Sequence, residues 1–198
     1  MGYRVREPTL AWEQHKAGSI FGLRNERNRS ELPVLSATQE NGMVYRDDSL
    51  RVVEHDERNE AGYKRVAPGD FVIHLRSFQG GFAHSAIEGI ASPAYTILQS
   101  KKPNEQSDLF WKCLFSSDRF IRSLVIVTYG IRDGRSISVD EFMRMNLCCP
   151  SFSEQQLIGA FFRELDDLIT LHQRKGEIQK EPRAIVHRPR LFEVHDNL

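Results

Sequence analysis

Residues 153–181, SEQQLIGAFFRELDDLITLHQRKGEIQKE, decide the architecture because they predict one long helix. Ser153 is a suitable N-cap for this helix, and Ser151 with Glu154 offers an alternative register. Pro182 ends the helix because its ring cannot continue the hydrogen-bond ladder. At about 1.5 Å per residue, the predicted helix is roughly 40 Å long.

Apolar residues recur along this helix at steps of four and three, which is the spacing of a coiled-coil seam. Two arrangements are open: the stripe packs on its own domain, or it pairs antiparallel with another long helix. The second is favoured, because a small domain alone does not cover a helix of this length. The predicted partner-contacting residues are Ile158, Phe162, Leu165, Ile169 and His172. The residues that widen the stripe are Leu157, Phe161, Leu168 and Leu171.

The chain before the helix, residues 1–150, is predicted to be a mixed α and β domain. Asn41-Gly42 and Pro68-Gly69 are turn signals between apolar runs, and residues 106–127 repeat apolar positions at helical spacing. The predicted strands cover residues 32–37, 71–76, 94–98 and 145–149. The predicted fold class is therefore α+β, with a mixed or antiparallel sheet, one long helix over 151–181 and a basic tail over 182–198.

Composition describes a folded protein without a charge bias. The 198 residues are 40% hydrophobic, and 27 Lys and Arg balance 27 Asp and Glu. Such a chain does not hold polyanions by bulk charge alone, since phosphate-driven affinity scales with the cations presented, although a local basic surface stays compatible. No apolar run approaches the ~20 residues that span a bilayer, so neither a membrane partner nor a signal peptide is expected. Three cysteines without metal-ligand spacing favour a reducing, cytoplasmic setting.

The sequence contains no recognisable catalytic motif. A phosphate-binding glycine loop, a nucleophile elbow and a methyltransferase tetrad are all missing. His74 and His84 flank Gly80-Gly81 and could face each other, but Asp70 is the only carboxylate nearby, so no metal site is predicted. We expect no catalytic residues and interpret the chain as a binding module. The alternative is a nuclease with an unrecognised metal site.

Several stretches, in order, resemble the target-recognition domain and spacer helix of type I restriction–modification specificity subunits. The strongest is residues 149–158, CPSFSEQQLI, which is similar to the family pattern Pro-x-x-x-Glu-Gln-x-x-Ile. Residues 165–169, LDDLI, match the Leu-Asp-x-x-Ile step of its spacer helix. The remaining matches lie at residues 12–16, 32–36, 63–73 and 89–98.

This resemblance implies a non-catalytic subunit that reads double-stranded DNA. Members of the family carry two recognition domains, each followed by a long helix, and the two helices pair antiparallel. Each domain reads one half of a split target. The present chain has one domain and one helix, so the resemblance implies a half-subunit that forms a homodimer through the helix. A two-fold dimer reads a palindromic split site.

The resemblance also implies two protein partners. One is a modification subunit that binds S-adenosylmethionine and methylates adenine, and the other is a restriction subunit that cleaves DNA with ATP and Mg²⁺. No cofactor is expected on this chain. The tail at 182–198 departs from the Lys/Leu-rich close of the family, and a silent fragment or an assembly-only protein without DNA binding stays an alternative.

The residues that read bases vary with the target in this family, so candidates are chosen by chemistry. Arg pairs with guanine, and Asn or Gln pairs with adenine, while Gly allows close backbone approach. The polar loop at 24–30 has an alternative reading as ordinary solvated surface. The predicted DNA-contacting residues are Arg27, Asn28, Arg29, Thr38, Gln39, Asn41, Arg76, Ser77, Gln79, Gly80 and Gly81, with Lys101 and Lys102 on phosphates.

Overall fold

A computed structural model describes residues 12–46, 57–74, 76–129 and 136–180. Its strands are β1 (Glu13–Lys16), β2 (Phe21–Arg24), β3 (Leu35–Ala37), β4 (Met43–Tyr45), β5 (Lys64–Val66), β6 (Phe71–Ile73), β7 (Ala83–His84), β8 (Gly89–Ala91), β9 (Thr96–Ser100), β10 (Thr128–Tyr129), β11 (Ser136–Ile137) and β12 (Asn146–Cys149). Its α-helices are α1 (Ala17–Ile20), α2 (Ser77–Gly80), α3 (Asp108–Phe115), α4 (Asp118–Ser123), α5 (Val139–Arg144) and α6 (Phe152–Lys180). Short 3-10 helices lie at Glu57–Gly62 and Leu124–Val127. The α+β class predicted from the sequence is confirmed.

A four-stranded antiparallel sheet in the order β2-β9-β6-β7 forms the centre of the domain. Two-stranded antiparallel pairs surround it: β1 with β12, β3 with β4, β5 with β8, and β10 with β11. A single parallel bridge from Val34 to Ile90 links the β3–β4 hairpin to β8. The described sheets are therefore almost wholly antiparallel.

The central sheet is buried on both faces, which explains why Phe71, Val72 and Ile73 are all apolar. Phe71 and Ile73 face an aromatic core built with the helices, whereas Val72 faces a smaller core beneath the β3–β4 and β5–β8 pairs. The ring of Phe115 is the hub of the aromatic core. The rings within 6.2 Å of it are those of Phe21, Phe71, Phe82, Trp111, Phe120 and Phe142.

Serine caps begin the helices of the aromatic core. Ser107 accepts from the Phe110 amide at the start of α3, and Ser138 accepts from the Glu141 amide at the start of α5. Each bond satisfies an amide that the first helical turn leaves unpaired. The predicted helical region at 106–127 forms in pieces, α3 and α4 followed by a 3-10 turn.

Several boundaries differ from those predicted. The strand expected over 32–37 covers Leu35–Ala37, and the strand expected over 94–98 covers Thr96–Ser100. The strand expected over residues 71–76 ends at Ile73, because the Ser77 hydroxyl accepts from the His74 amide and turns the chain into α2. The long helix begins at Phe152, and its cap is Ser151, whose hydroxyl accepts from the Glu154 amide. The alternative register is therefore correct and Ser153 is not the cap.

The chain divides into two compact units, and the division falls inside α6, after Arg163. In the first unit Ile158 packs against the aromatic core. In the second unit the side chains over residues 164–175 are exposed. None of the described helices is long and apolar enough to cross a membrane. The predicted basic tail at 182–198 lies outside the described residues.

Candidate nucleic-acid interface

Two loops that were predicted to contact DNA leave the central sheet on the same side. The last residue of β2, Arg24, pairs with Ile97, and the last residue of β6, Ile73, pairs with Thr96. Both strands run antiparallel to β9, so the segments that follow them emerge where β9 begins. We call this side, formed by residues 25–31, 74, 76–80 and 92–95, the upper edge. It holds the predicted residues Arg27, Asn28, Arg29, Arg76, Gln79 and Gly80. Ser77 lies in the same segment but is fully buried, so its side chain is not placed to contact a ligand.

The turn of the β3–β4 hairpin, which carries Thr38, Gln39 and Asn41, joins the upper edge. A Cβ added to Gly80 would lie 3.1 Å from Gln39 Nε2, so the two residues are in contact. Gly42 has a φ of +68°, and a Cβ there would lie 2.3 Å from the backbone oxygen of His84. The hairpin turn therefore fits closely against the central sheet, and a side chain at Gly42 would disrupt that fit.

Lys101 and Lys102 lie at the other end of β9, where β2 begins. Phe21 pairs with Ser100 at this end. Lys101 Nζ donates to the Gly18 carbonyl, and Lys102 Nζ donates to Glu105 at 2.8 Å. About 16 Å of strand separates this lower edge from the upper edge. The structure therefore does not bring the two lysines together with the other predicted residues.

Some predicted residues hold the site together. Arg29 pairs with Glu26 at 2.8 Å and with Glu31. The Thr38 hydroxyl donates to the Gly42 carbonyl at 2.9 Å and accepts from the Asn41 amide. These bonds stabilise the two loops. The Arg29 and Thr38 side chains therefore have a structural role in the free protein.

Glu26 fixes the polar loop that follows β2. Its carboxylate accepts from both Arg65 and Arg29, and these hydrogen bonds hold the pKa of Glu26 below its usual range. Asn28 has a φ of +61°, and its amide donates to the Ala61 carbonyl at 3.2 Å. Asn tolerates this left-handed conformation better than most residues. The exposed Arg27 thus sits on a loop whose shape is fixed before any ligand arrives.

A basic and aromatic cluster at the upper edge was missed from the sequence. The Arg46 guanidinium lies over the Tyr63 ring, 5.8 Å from its centroid. Lys64 Nζ donates to the Tyr95 carbonyl at 2.7 Å. The rings of His74 and Tyr95 are 6.1 Å apart. The interleaved basic and aromatic residues at 63–65 were the available signal, since cations and aromatic rings together are typical of nucleic-acid surfaces.

Positive charges crowd one another at this edge. Burial, with the Arg27 charge as a second cause, lowers the pKa of Lys64. Burial, with the Arg76 charge as a second cause, lowers the pKa of His74. Like charges that disfavour one another in the free protein create a local potential that an anion relieves. Arg27 thus lies near Lys64, and Arg76 lies near His74, at the upper edge.

The described histidines and carboxylates form no metal cluster. His84 Nε2 lies 2.9 Å from Asp108 Oδ2, which lowers the pKa of Asp108, while His74 faces Tyr95 instead. The two histidines thus have separate partners. In the part of the chain that the structure describes, no group of three or more His, Cys, Asp or Glu residues is placed to hold a metal.

A cleft of about 510 Å³ on the central domain has its charged groups already paired. Arg24 makes two hydrogen bonds to Asp70, at 2.7 and 3.1 Å, and Asp70 also accepts from the Ala67 amide. Asp70 is thus a turn-forming residue. The charged groups of this cleft therefore stabilise the fold of the domain, and we do not propose it as a ligand site.

The apolar stripe of α6 is exposed in both units. Leu157 and Phe161 in the first unit are 72% and 58% exposed. Leu168, Ile169 and Leu171 in the second unit are each more than half exposed. Large exposed apolar patches mark interaction surfaces. Of the predicted seam, Phe162 is 46% and Leu165 37% exposed, and His172 is exposed; its role in contacting a partner stays a prediction.

No family model and no curated protein matches this sequence. Several solved structures do match this chain. The HsdS subunit from Thermoanaerobacter tengcongensis is 12% identical, with a TM-score of 0.59 over 91% of this chain and 49% of that chain. The chain has the fold of HsdS subunits. A second chain, from a structure described as "Structural basis underlying complex assembly and conformational transition of the type I R-M system", is 10% identical. Its TM-score is 0.54 over 90% of this chain and 44% of that one.

The HsdS fold is the fold that the sequence resemblance implied. The present chain spans about half the length of these two chains. The likeness covers nine-tenths of this chain, which is more than the central domain alone, so it extends into α6. At these identities the likeness concerns the fold alone.

Proposed function

We propose that this chain is a non-catalytic DNA sequence-recognition subunit of a type I restriction–modification system that reads one half of a split target. The observation that carries the proposal is the HsdS fold over 91% of the chain. Fold does not by itself fix function, so the surface chemistry at the upper edge has to agree with it.

The upper edge supports DNA as the ligand. Arg27 and Arg76 are exposed there, beside the half-buried Lys64 and His74. Arginine and lysine supply phosphate contacts, and arginine also reads guanine. Gln39 and Gln79 add exposed amides that pair with adenine edges. The loop that Glu26 fixes presents Arg27 without a large ordering cost.

A second copy of the chain is the proposed partner of α6. One chain spans 49% of an HsdS subunit, so two copies supply the length of one. Heptad spacing relates four exposed apolar residues of α6, Leu157, Phe161, Leu168 and Leu171. The seam that they form also contains Glu164, which lies three residues after Phe161 and four before Leu168. Ile158 packs on its own domain, so we place the dimer seam on the neighbouring Leu157 line. A two-fold dimer then reads a palindromic split site.

The remaining partners follow from the same proposal. A modification subunit carries S-adenosylmethionine, and a restriction subunit carries ATP and Mg²⁺, while this chain binds no cofactor. The complex acts on chromosomal or invading DNA in the cytoplasm. The docking of these subunits involves α6.

Selection from a random duplex library tests DNA recognition. The full chain, alone and with the modification subunit from the same genome, is incubated with duplexes of random sequence, and bound DNA is sequenced. We expect one gapped, palindromic sequence to be enriched. If no sequence is enriched in either arm, the chain does not recognise DNA, and the alternatives of an assembly-only protein or a silent fragment are favoured. Cleavage of the duplexes by the chain alone with Mg²⁺ would instead indicate a nuclease.

Sedimentation tests the helix seam. Burying a leucine is worth about 1.5–3 kcal/mol, so Leu157→Glu or Leu168→Glu should weaken a homodimer by at least about tenfold. Thr170→Glu is the matched control, because it adds the same charge to α6 outside the apolar stripe. A dimer that withstands both leucine variants, or a wild-type monomer at high concentration, contradicts the seam.

A further inference from the structure

The start of α6 is held by a buried amide side chain. Gln155 is 1% exposed. Its Oε1 accepts from the Ser107 amide at 3.1 Å, and its Nε2 donates to the Pro150 carbonyl at 3.0 Å. One side chain thus connects the N-cap of α3 with the end of β12, and both of its polar groups are satisfied.

One turn later, Gly159 brings α6 into backbone contact with α3. A Cβ added to Gly159 would lie 2.8 Å from Leu109 Cβ and 2.9 Å from the Phe110 nitrogen. Distances below 3.0 Å require something to move, and here a backbone atom is among those in the way. Ile158 packs on the aromatic core between these two residues. Gln155, Ile158 and Gly159 therefore form one face of the first turns of α6.

The chemistry at position 155 differs from that of an ordinary core residue. Apolar contacts are non-directional and tolerate sliding of one helix on another. Hydrogen bonds lose strength steeply with angle, so a pair of them from one planar amide fixes both position and direction. A buried methionine would supply similar volume without that constraint. A satisfied buried amide therefore serves geometry rather than net stability.

We infer that Gln155 is a positioning residue that fixes the first turns of α6 on α3 and so determines which distance between DNA half-sites the protein accepts. The inference rests on the proposed function, since it needs two recognition domains that are joined through their helices. Gln155 touches no DNA in this account and acts only through the placement of α6.

Half-site spacing is a sensitive readout of that placement. Each added base pair lengthens the site by about 3.4 Å and turns the second half-site by about a tenth of a helical turn. A helix that is fixed at its start accepts one spacing, whereas a helix that slides accepts several. A residue with only a stability role would change affinity equally for all spacings.

The test uses the full chain with two copies of the half-site obtained by selection. Duplexes carry these half-sites at spacings that differ by one base pair, and affinities are measured for wild type, Gln155→Met and Gly159→Ala. The adjacent, exposed glutamine supplies the matched control Gln156→Met. Hydrogen exchange at the Ser107 amide reports whether the bond to Gln155 is lost.

We expect Gln155→Met to bind a single half-site as wild type does, while its discrimination between the best and next spacing falls by about tenfold, as two lost hydrogen bonds imply. Exchange at Ser107 should accelerate. Gly159→Ala should move the preferred spacing, and Gln156→Met should change nothing.

Unchanged spacing discrimination in a folded Gln155→Met protein overturns the inference, and so does failure of both variants to fold, since Gln155 is then a folding residue. A wild-type chain that binds no duplex refutes the proposed function, and the inference falls with it. If the wild type binds one spacing and Gln155→Met prefers that spacing as strongly, the inference is wrong and the proposed function still holds.

Discussion

The upper and lower edges of the central sheet both carry cations, and they use them differently. At the lower edge, Lys101 and Lys102 are bonded to the Gly18 carbonyl and to Glu105. At the upper edge, Arg27 and Arg76 are exposed, and burial, with these two charges as a second cause, lowers the pKa values of Lys64 and His74. The number of basic residues does not distinguish the two edges. What separates them is whether each cation has a partner among the residues that the structure describes.

The largest expected effect comes from reversing charge at one edge only. Arg27→Glu with Arg76→Glu should weaken DNA binding by at least about 100-fold at ~0.1 M salt, because repelled phosphates replace attracted ones. Fluorescence anisotropy with the selected duplex measures the loss. Lys101→Glu with Lys102→Glu makes the same change of charge at the lower edge. Equal losses from the two double variants would contradict the distinction between the edges.

A single truncation distinguishes base reading from phosphate contact at the upper edge. Arg76→Ala should cost about 1–3 kcal/mol on the selected target if the guanidinium reads a base. The same variant should then leave binding to unrelated duplexes nearly unchanged. An equal loss on every sequence, with a smaller salt slope, would assign Arg76 to phosphate.

The pH dependence should be confined to the upper edge. Burial and Arg76 lower the pKa of His74 in the free protein, and a nearby phosphate raises it, so binding takes up a proton. Affinity should therefore rise as pH falls from about 7.5 to 5.5, with about tenfold per pH unit as the ceiling for one proton. His74→Gln should flatten the profile. His15→Gln, on β1, should leave it intact, and a flat wild-type profile would remove His74 from the interface.

The smallest effect is expected from Lys102→Ala. Its side chain pairs with Glu105 at the surface, and exposed pairs contribute little. Affinity for the selected duplex should change by less than about twofold, and thermal stability should be nearly unchanged. A loss as large as that of Arg76→Ala would place DNA across both edges.

Much of the fold was predictable because its signals are local. The cap at Ser151 was one of two registers that the spacing allowed, and only the hydrogen bond to Glu154 selects it. The strand over 71–76 was predicted too long because the Ser77 hydroxyl turns the backbone at His74. That bond depends on a side-chain rotamer, which periodicity does not contain.

The interface was less predictable. Residues near in sequence, such as Arg27 and Arg29, differ in role because Arg29 pairs with Glu26 and Glu31 while Arg27 is exposed. Arg46 and Tyr63 were missed because they are 17 positions apart and meet only through the fold. Contacts of this kind are fixed by strand pairing rather than by neighbours in the chain.

By itself, the sequence determined the α+β class, the long helix and the apolar stripe, because periodicity, turn residues and capping act over a few positions. Only the tertiary structure decided which of the described cations are exposed, that Ile158 packs on its own domain and what Gln155 holds. Those outcomes depend on groups from distant segments competing for the same partners. A hydrogen bond made within the domain removes a group from a ligand, and the sequence does not record which bonds are made.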